Sequence, residues 1–256
     1  MKTKSLSRNT SYIVVFLFLF TLMGCVNSNK KQTSEIRETQ TEVELKTFFK
    51  LSLAQWSLHN FVREEHGDPF QFASMANEMG FEGLEYVSQL YTDKIELLGL
   101  DKVIDSLKTM SELSGMHNVL IMVDGEGDLA DPDETKRNEA VENHKKWVDA
   151  AQKLGCHSIR VNTFGTNDPE VWKVTVVDGL KKLSEYAATK GINVLCENHG
   201  WLSSDVPKLM EAIQLVNMSN CGTLPDFGNW CVKRKEGAQW GECLEDYPDK
   251  YQGIEM

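Results

Sequence analysis

Two short stretches place groups capable of metal binding or proton transfer directly after apolar runs. In INVLCENHGW the apolar residues are followed by Glu197 and, two positions later, by His199. In CGTLPDFGNW the carboxylate of Asp226 occupies the corresponding place. Two carboxylates and an imidazole suit Mn²⁺, Mg²⁺, Co²⁺ or Zn²⁺, and the residue types do not choose among these divalent metal ions. The alternative is that Glu197 and Asp226 pair with Arg160 or cap helices.

A cation held there would polarise a carbonyl or hydroxyl group of a substrate. A carboxylate beside it, such as Glu197, would be placed to move a proton on or off the adjacent carbon. The chemistry predicted from these residues is therefore metal-assisted proton transfer.

The elements that must position these groups recur about every 35 residues. Six apolar runs appear, and helical patterns with apolar residues at spacings of three and four lie between them. The runs are FFKLSLAQ, GLEYV, NVLIMVD, HSIRVNT, INVLCEN and CGTLPDF. Alternating strands and helices predict a parallel sheet. No Gly-rich phosphate loop follows a strand, so an α/β barrel is favoured over a nucleotide-binding sheet.

A barrel explains why polar residues gather at the ends of the apolar runs, because functional groups in this fold lie at the C-terminal ends of strands. Glu85 belongs to the second run and is a candidate catalytic group, while Asp124 and Glu126 follow the third. Arg160 and Asn162 share a face of the fourth strand, since side chains two residues apart point the same way. Both are candidate substrate-binding residues.

Aromatic residues are a second indication of the ligand. Trp56, Trp201 and Trp230 each follow a predicted strand, so all three are expected at the same mouth of the barrel. Their flat apolar faces would stack on sugar rings. His59 is expected to reach the same mouth, and the alternative for each tryptophan is packing beneath a loop. His144 lies on a helical apolar stripe and is predicted to be structural.

The N-terminal residues predict export. Residues 1–24 combine positive charges with an apolar run that is too short for a comfortable membrane span, as in a signal peptide. The ending TLMGC matches the lipobox of a bacterial lipoprotein, which would make Cys25 the lipidated residue. Polar residues 25–46 then form a flexible tether, and residues 47–256 form the barrel domain. An ordinary signal peptide or an uncleaved anchor is the alternative.

Charge and cysteine content exclude some functions. The formal net charge of −11 becomes about −14 without the leader, and a surface this acidic disfavours nucleic-acid binding. The cysteines fit no zinc motif. Cys156, Cys196 and Cys221 are predicted to be core residues, whereas Cys231 and Cys243 are candidates for a disulfide in an oxidising compartment.

Several motifs together resemble the sugar phosphate isomerase/epimerase family, whose members have a xylose isomerase-like TIM barrel. They are LSLAQWSLH, MGFEGLEYV, MVDGEGDLADPD, AVENHKKWVDAAQKLGCHSIRVN, GINVLCENHGW and TLPDFGNW. The resemblance is greatest to an exported lipoprotein branch. It implies an eight-stranded barrel with one divalent metal ion and proton transfer next to a sugar carbonyl. By this resemblance, Glu197 is a metal ligand and also the acid/base, and Asp226 is a second metal ligand. His199 is expected near the metal ion or the substrate, and Glu85 near the substrate.

The chain departs from the family pattern in two places. Many relatives have His three residues after the ligand Asp, where this chain has Asn229. Only six strands are visible, so the fold expected is a (β/α)8 barrel truncated after strand 6. Strands 7 and 8, which carry the other two ligands in the family, would be missing, and the first and sixth strands would be open edges.

Four functions follow from these observations. The first is a metal-dependent sugar isomerase or epimerase. The second is a lyase or dehydratase on keto-sugars or 3-keto-glycosides, which shares the first step and then expels a leaving group. The third is a surface-tethered sugar-binding or inactive relative, attached to the membrane only through its lipid. An apurinic-site endonuclease is disfavoured by the acidic charge.

Overall fold

The computed structural model describes residues 49–235 and 242–246. The signal peptide (1–24), Cys25 and the tether (25–46) predicted above lie outside the described residues. No helix in the described part of the chain is both long and apolar enough to cross a membrane.

Six parallel strands form one sheet in sequence order, as the recurring apolar runs predict. Their bounds are β1 Ser52–Ala54, β2 Gly83–Val87, β3 His117–Met122, β4 Ser158–Val161, β5 Asn193–Glu197 and β6 Cys221–Leu224. Each strand pairs with the next one along the chain, so all six C-terminal ends meet at one edge of the sheet. The prediction of a six-stranded part of an α/β barrel is confirmed.

The helices lie between the strands, and the last three begin at capping aspartates. Their bounds are α1 His59–Arg63, α2 Phe72–Glu78, α3 Thr92–Leu98, α4 Leu100–Leu113, α5 Glu134–Leu154, α6 Pro169–Ala188 and α7 Val206–Val216. The carboxylates of Asp133 and Asp168 accept hydrogen bonds from the first backbone N–H groups of α5 and α6. Gly155 ends α5 with a φ of 88°, a conformation that glycine adopts without steric cost.

Alternation along the strands separates the core into two layers. In β3, Ile121 packs with the helices in the larger cluster, whereas Leu120 and Met122 join Val87 in a smaller cluster on the other face of the sheet. Glu85 lies two residues before Val87 and so shares its face. The smaller cluster therefore lines the side of the sheet on which the polar groups of the strand ends are found.

Within the described residues, β1 pairs only with β2 and β6 only with β5, so both outer strands present a free edge. After β6 the chain forms an antiparallel hairpin of β7 Cys231–Arg234 and β8 Cys243–Asp246, which the apolar runs do not predict. Cys231 and Cys243 are joined by a disulfide, the pairing for which the sequence made them candidates. The hairpin packs against the loop that follows β5.

Candidate active site

A cavity of about 1100 Å³ opens at the C-terminal edge of the sheet. All six strands or the loops after them contribute to its wall, as expected for a barrel in which the strand ends carry function. The predicted site residues that line it are Trp56, Glu85, Asp124, Glu126, Arg160, Asn162, Glu197, His199 and Asp226.

Arg160 on β4 is the central cation of this cavity and is almost fully buried. Its Nη1 donates a hydrogen bond of 2.9 Å to Asp124 Oδ1, which also accepts one of 2.7 Å from Asn162 Nδ2. Arg160 Nε lies 2.7 Å from Glu197 Oε2, but this pair lacks hydrogen-bond geometry. Arg160 therefore ion-pairs with two carboxylates and hydrogen-bonds to one of them.

Glu197 ends β5 with only 5% of its surface exposed. Burial raises the pKa of its carboxyl group to about 7; the charge of Arg160 opposes this rise and the charge of Asp226 adds to it. A carboxyl group with a pKa near neutrality can both accept and return a proton.

Asn198 holds the loop that carries Asp226, a role that the sequence did not reveal. Its Nδ2 donates to the backbone oxygens of Asp226 (2.8 Å) and Asn229 (3.2 Å), and its Oδ1 accepts from the backbone N–H of Asp226 (2.6 Å). Asn229 Nδ2 in turn donates to Glu197 Oε1 at 3.0 Å. Asn229 thus orients the carboxylate of Glu197.

His199 remains neutral in this environment. Burial and the charge of Arg160 lower the pKa of its imidazole to about 4. Its Nε2 lies 3.8 Å from Glu197 Oε1, and its ring meets Phe164 edge-on at a centroid distance of 5.7 Å. A neutral imidazole can accept a hydrogen bond or bind a metal ion.

The donor chemistry of Glu197 and Asp226 fits a divalent cation, because two carboxylates face one cavity and repel each other there. No three His, Cys, Asp or Glu ligand atoms around this cavity, among residues 49–235 and 242–246, lie within 4.8 Å of one another. The described triad that does, Cys231, Cys243 and Asp246, has both sulfurs in the disulfide. The described residues thus supply two carboxylates and a nearby imidazole, which is part of a ligand set.

The β1 and β2 side of the cavity is more open. Trp56 is 41% exposed, with the guanidinium of Arg63 4.8 Å from the centre of its ring. Glu85 accepts a hydrogen bond from Ser52 Oγ, and Arg63 donates one of 2.6 Å to Gln89. Arg63 and Gln89 also line the cavity, and they lie in helical segments where the strand-end pattern could not find them.

Three predicted mouth residues lie outside the wall of this cavity. His59 stacks on Trp56 at 4.5 Å, with its Nδ1 2.6 Å from Trp56 O. Trp230 is buried and donates to Phe227 O, which matches the alternative of packing beneath a loop. Trp201 lines a smaller neighbouring cavity. The expected ring of three tryptophans is therefore reduced to Trp56, because loop turns redirect the other two.

His144, predicted to be structural, lines the cavity from α5 although it is almost fully buried. Its Nδ1 lies 2.7 Å from Ala140 O. A carbonyl oxygen only accepts, so Nδ1 carries the proton and Nε2 is an acceptor. Glu126, by contrast, accepts from Trp147 Nε1 (2.6 Å) and pairs with Lys146 (2.7 Å), which ties it to α5.

The chain belongs to the xylose isomerase-like TIM barrel family, whose sequence model matches residues 73–254. No curated protein matches the chain in sequence.

Three solved structures illustrate the shared fold. A D-psicose 3-epimerase from Clostridium cellulolyticum H10, solved with D-tagatose, is 15% identical, with a TM-score of 0.60 over 74% of this chain and 67% of that one. A IolI protein with a bound zinc atom is 16% identical, with a TM-score of 0.56 over 73% and 66%. The probable 3-DHS dehydratase AsbF from Bacillus anthracis is 17% identical, with a TM-score of 0.53 over 70% and 63%. The chain spans about two thirds of the length of these proteins.

Proposed function

We propose that the protein is a divalent-metal-dependent sugar isomerase or epimerase that moves a proton on the carbon next to a sugar carbonyl. The observation that carries this proposal is the buried carboxyl group of Glu197, which faces the main cavity together with Asp226 and lies 2.7 Å from the guanidinium of Arg160. Supporting it are the shared family and a similar fold in a sugar epimerase and in a zinc-binding protein.

Each residue has a role that follows from its surroundings. Glu197 takes the proton from carbon and returns it. Asn229 donates a hydrogen bond to Glu197 Oε1 and so fixes the orientation of the carboxylate. Arg160 supplies positive charge where negative charge develops on the substrate oxygen. Glu197 and Asp226 would also hold the metal ion, with His199 beside them. When bound, a divalent ion would polarise the substrate carbonyl and acidify the neighbouring C–H group.

The test is exchange of substrate hydrogen with solvent. The full-length protein, loaded with Mn²⁺, is incubated in D₂O with ketohexoses and 3-keto-glycosides, and loss of the C–H signal next to the carbonyl is followed by NMR. Glu197→Gln keeps the shape and removes the base, so exchange should slow by about 10²–10⁴-fold.

Glu211→Gln is the matched control, because Glu211 is a half-exposed carboxylate whose described partner is Lys173. Exchange at the wild-type rate in E197Q would contradict the proposed role of Glu197. Sugar binding without exchange in the wild-type protein would favour the sugar-binding function instead.

A lyase or dehydratase is a second candidate, favoured by the similarity of fold to a probable dehydratase. Proton removal by Glu197 would be the same, and the electron pair left on carbon would then expel a leaving group from the next carbon. The same NMR spectra separate the two functions. An altered configuration indicates an epimerase, whereas a dehydrated or cleaved product indicates a lyase.

We also propose that the protein is exported and held on a membrane by lipid at Cys25, on the strength of the leader and lipobox sequence alone. Growth with a radiolabelled fatty acid should label the wild-type protein. The Cys25→Ser variant should remain unlabelled and leave the membrane fraction. Labelling of C25S would contradict the proposal.

A further inference from the structure

A second cavity of about 210 Å³ lies beside the main one. It is formed mainly by the loop after β4 and the loop after β5, the two loops that also carry Asn162 and His199 into the main cavity. Its wall includes Phe164, Asn167, Trp172 and Trp201. None of the roles proposed above uses this space.

The two cavities share one side chain in their walls, that of Phe164. Its ring meets His199 edge-on at 5.7 Å on one side and Trp201 edge-on at 5.7 Å on the other. A ligand that filled both cavities would therefore pass close to Phe164.

The ring of Trp201 is held by an unusual backbone conformation. Trp201 has a φ of 52°, in the left-handed region that bulky residues rarely adopt, and it follows Gly200 with a φ of 93°. The guanidinium of Arg234 on β7 lies 5.5 Å from the centre of its ring. Such conformations persist only where the surroundings fix them, and they cluster at ligand sites.

The remaining wall combines apolar and polar groups in the way that sugar sites do. Trp201 and Phe164 contribute aromatic rings to the wall, and the C–H groups of a pyranose ring pack against rings of this kind. Asn167 is an exposed residue of this wall, and its amide carries two donors and an acceptor for sugar hydroxyl groups. No lysine, arginine or carboxylate lines this cavity within the described part of the chain, which fits a neutral ligand.

We propose that this second cavity, built around Trp201, binds the second sugar unit of a glycoside whose first unit occupies the main cavity. The inference rests on the proposed function and narrows its substrate class from free sugars to glycosides. Phe164 separates the two sugar units, and Trp201 stacks on the second.

The test compares a keto-disaccharide with the corresponding keto-monosaccharide on the full-length protein. Trp201→Ala should lower kcat/KM for the disaccharide about tenfold, equivalent to about 1.4 kcal/mol, and leave the monosaccharide within about twofold. Trp201→Phe, which keeps an aromatic face, should restore most of the loss. Val174→Ala is a surface control, because Val174 is 70% exposed on α6 and lies outside both cavities.

A binding measurement distinguishes an error in this inference from an error in the proposed function. If no sugar is turned over, saturation-transfer NMR on the wild-type protein and W201A still reports which ring of the disaccharide touches the protein. Loss of contact with the second ring alone in W201A supports the second cavity as a binding site. Equal losses for monosaccharide and disaccharide, or no loss for either, would overturn it.

Discussion

Asp124, on the β3 side of the main cavity, and Glu197, on the β5 side, both lie close to Arg160, at 2.9 Å and 2.7 Å. Burial pushes the pKa of each carboxyl group upward. For Asp124 the charge and hydrogen bond of Arg160 outweigh burial, and its pKa falls below the ordinary value. For Glu197 burial prevails, and its pKa rises to about 7.

The difference lies in hydrogen-bond geometry and in neighbouring charge. Asp124 accepts charge-assisted and neutral hydrogen bonds from Arg160 and Asn162, which stabilise its ionised form. Glu197 meets Arg160 without hydrogen-bond geometry and is repelled by Asp226. Among the described residues, its carboxylate accepts only a neutral hydrogen bond, from Asn229. One arginine thus leaves one neighbour as a fixed anion and the other able to carry a proton.

The largest expected effect contrasts the two carboxylates in catalysis. Glu197→Gln should slow C–H exchange about 10³-fold, because the proton carrier is gone. Asp124→Asn should slow it much less, because Asp124 only positions Arg160. Exchange rates of both variants with the same sugar and Mn²⁺ check the ranking. A greater loss in D124N would mean that the base lies on the β3 side.

Removing the shared cation should reduce stability. Arg160→Met leaves two buried carboxylates without a charge partner and should lower the free energy of unfolding by about 3–5 kcal/mol. Urea denaturation of the full-length protein measures this. Lys173→Met removes the cation of a half-exposed pair with Glu211 and should change stability by no more than about 0.5 kcal/mol. Similar losses in both variants would contradict the picture of a buried charge cluster.

Stability of the metal-free protein should depend on pH through Glu197. Between its ordinary pKa of 4.5 and its folded value of about 7, the folded chain keeps a proton that the unfolded chain has released. Unfolding therefore releases a proton, and the contribution of Glu197 falls by roughly 3 kcal/mol as pH rises through this window. Urea curves at pH 5 and pH 8 should show this fall in the wild-type protein, relative to E197Q.

The contribution of Asp124 to stability depends on pH in the opposite direction. Because its folded pKa is lowered, its stabilising contribution is present above its ordinary pKa and is lost on acidification.

Mn²⁺ affinity should rise with pH up to about 7 and then level off, since Glu197 must be deprotonated to bind the metal ion. An Mn²⁺ affinity that does not change between pH 5 and pH 8 would contradict the role of Glu197 as a metal ligand.

A smaller effect is expected at the loop of Asp226. Asn198→Ala leaves the backbone groups of Asp226 and Asn229 without their partner and should cost about 1–3 kcal/mol of stability. It should also weaken Mn²⁺ binding, measured by calorimetry. Asn193→Ala is the matched control at the opposite end of β5, where Asn193 donates to His157 O. Weaker Mn²⁺ binding in N193A as well would show a general effect on β5.

The sheet and part of the site were predictable because strands appear as recurring apolar runs and because side chains two residues apart on a strand share a face. GLEYV was predicted as a strand from its apolar run, and the structure places β2 on the same five residues. The spacing of two between Arg160 and Asn162 brought both side chains to Asp124. Strand ends therefore revealed most of the charged residues of the main cavity.

What the sequence did not reveal depends on loop geometry. Asn198 stands between Glu197 and His199, yet its side chain points to backbone groups of a loop 28 residues further on, and no local pattern encodes that contact. The hairpin of β7 and β8 has polar strands without a continuous apolar run, so periodicity could not indicate it. Trp201 was displaced from the expected mouth by its positive φ.

That positive φ at Trp201 has a consequence for engineering and for sequence drift. A left-handed backbone costs a residue with a side chain about 1–2 kcal/mol relative to glycine. The ring of Trp201 offsets this cost through its edge-on contact with Phe164 and through the guanidinium of Arg234 near its face. A glycine introduced there by engineering or by drift would relieve the backbone cost but lose both contacts, so the conformation of this loop depends on the aromatic ring that it carries.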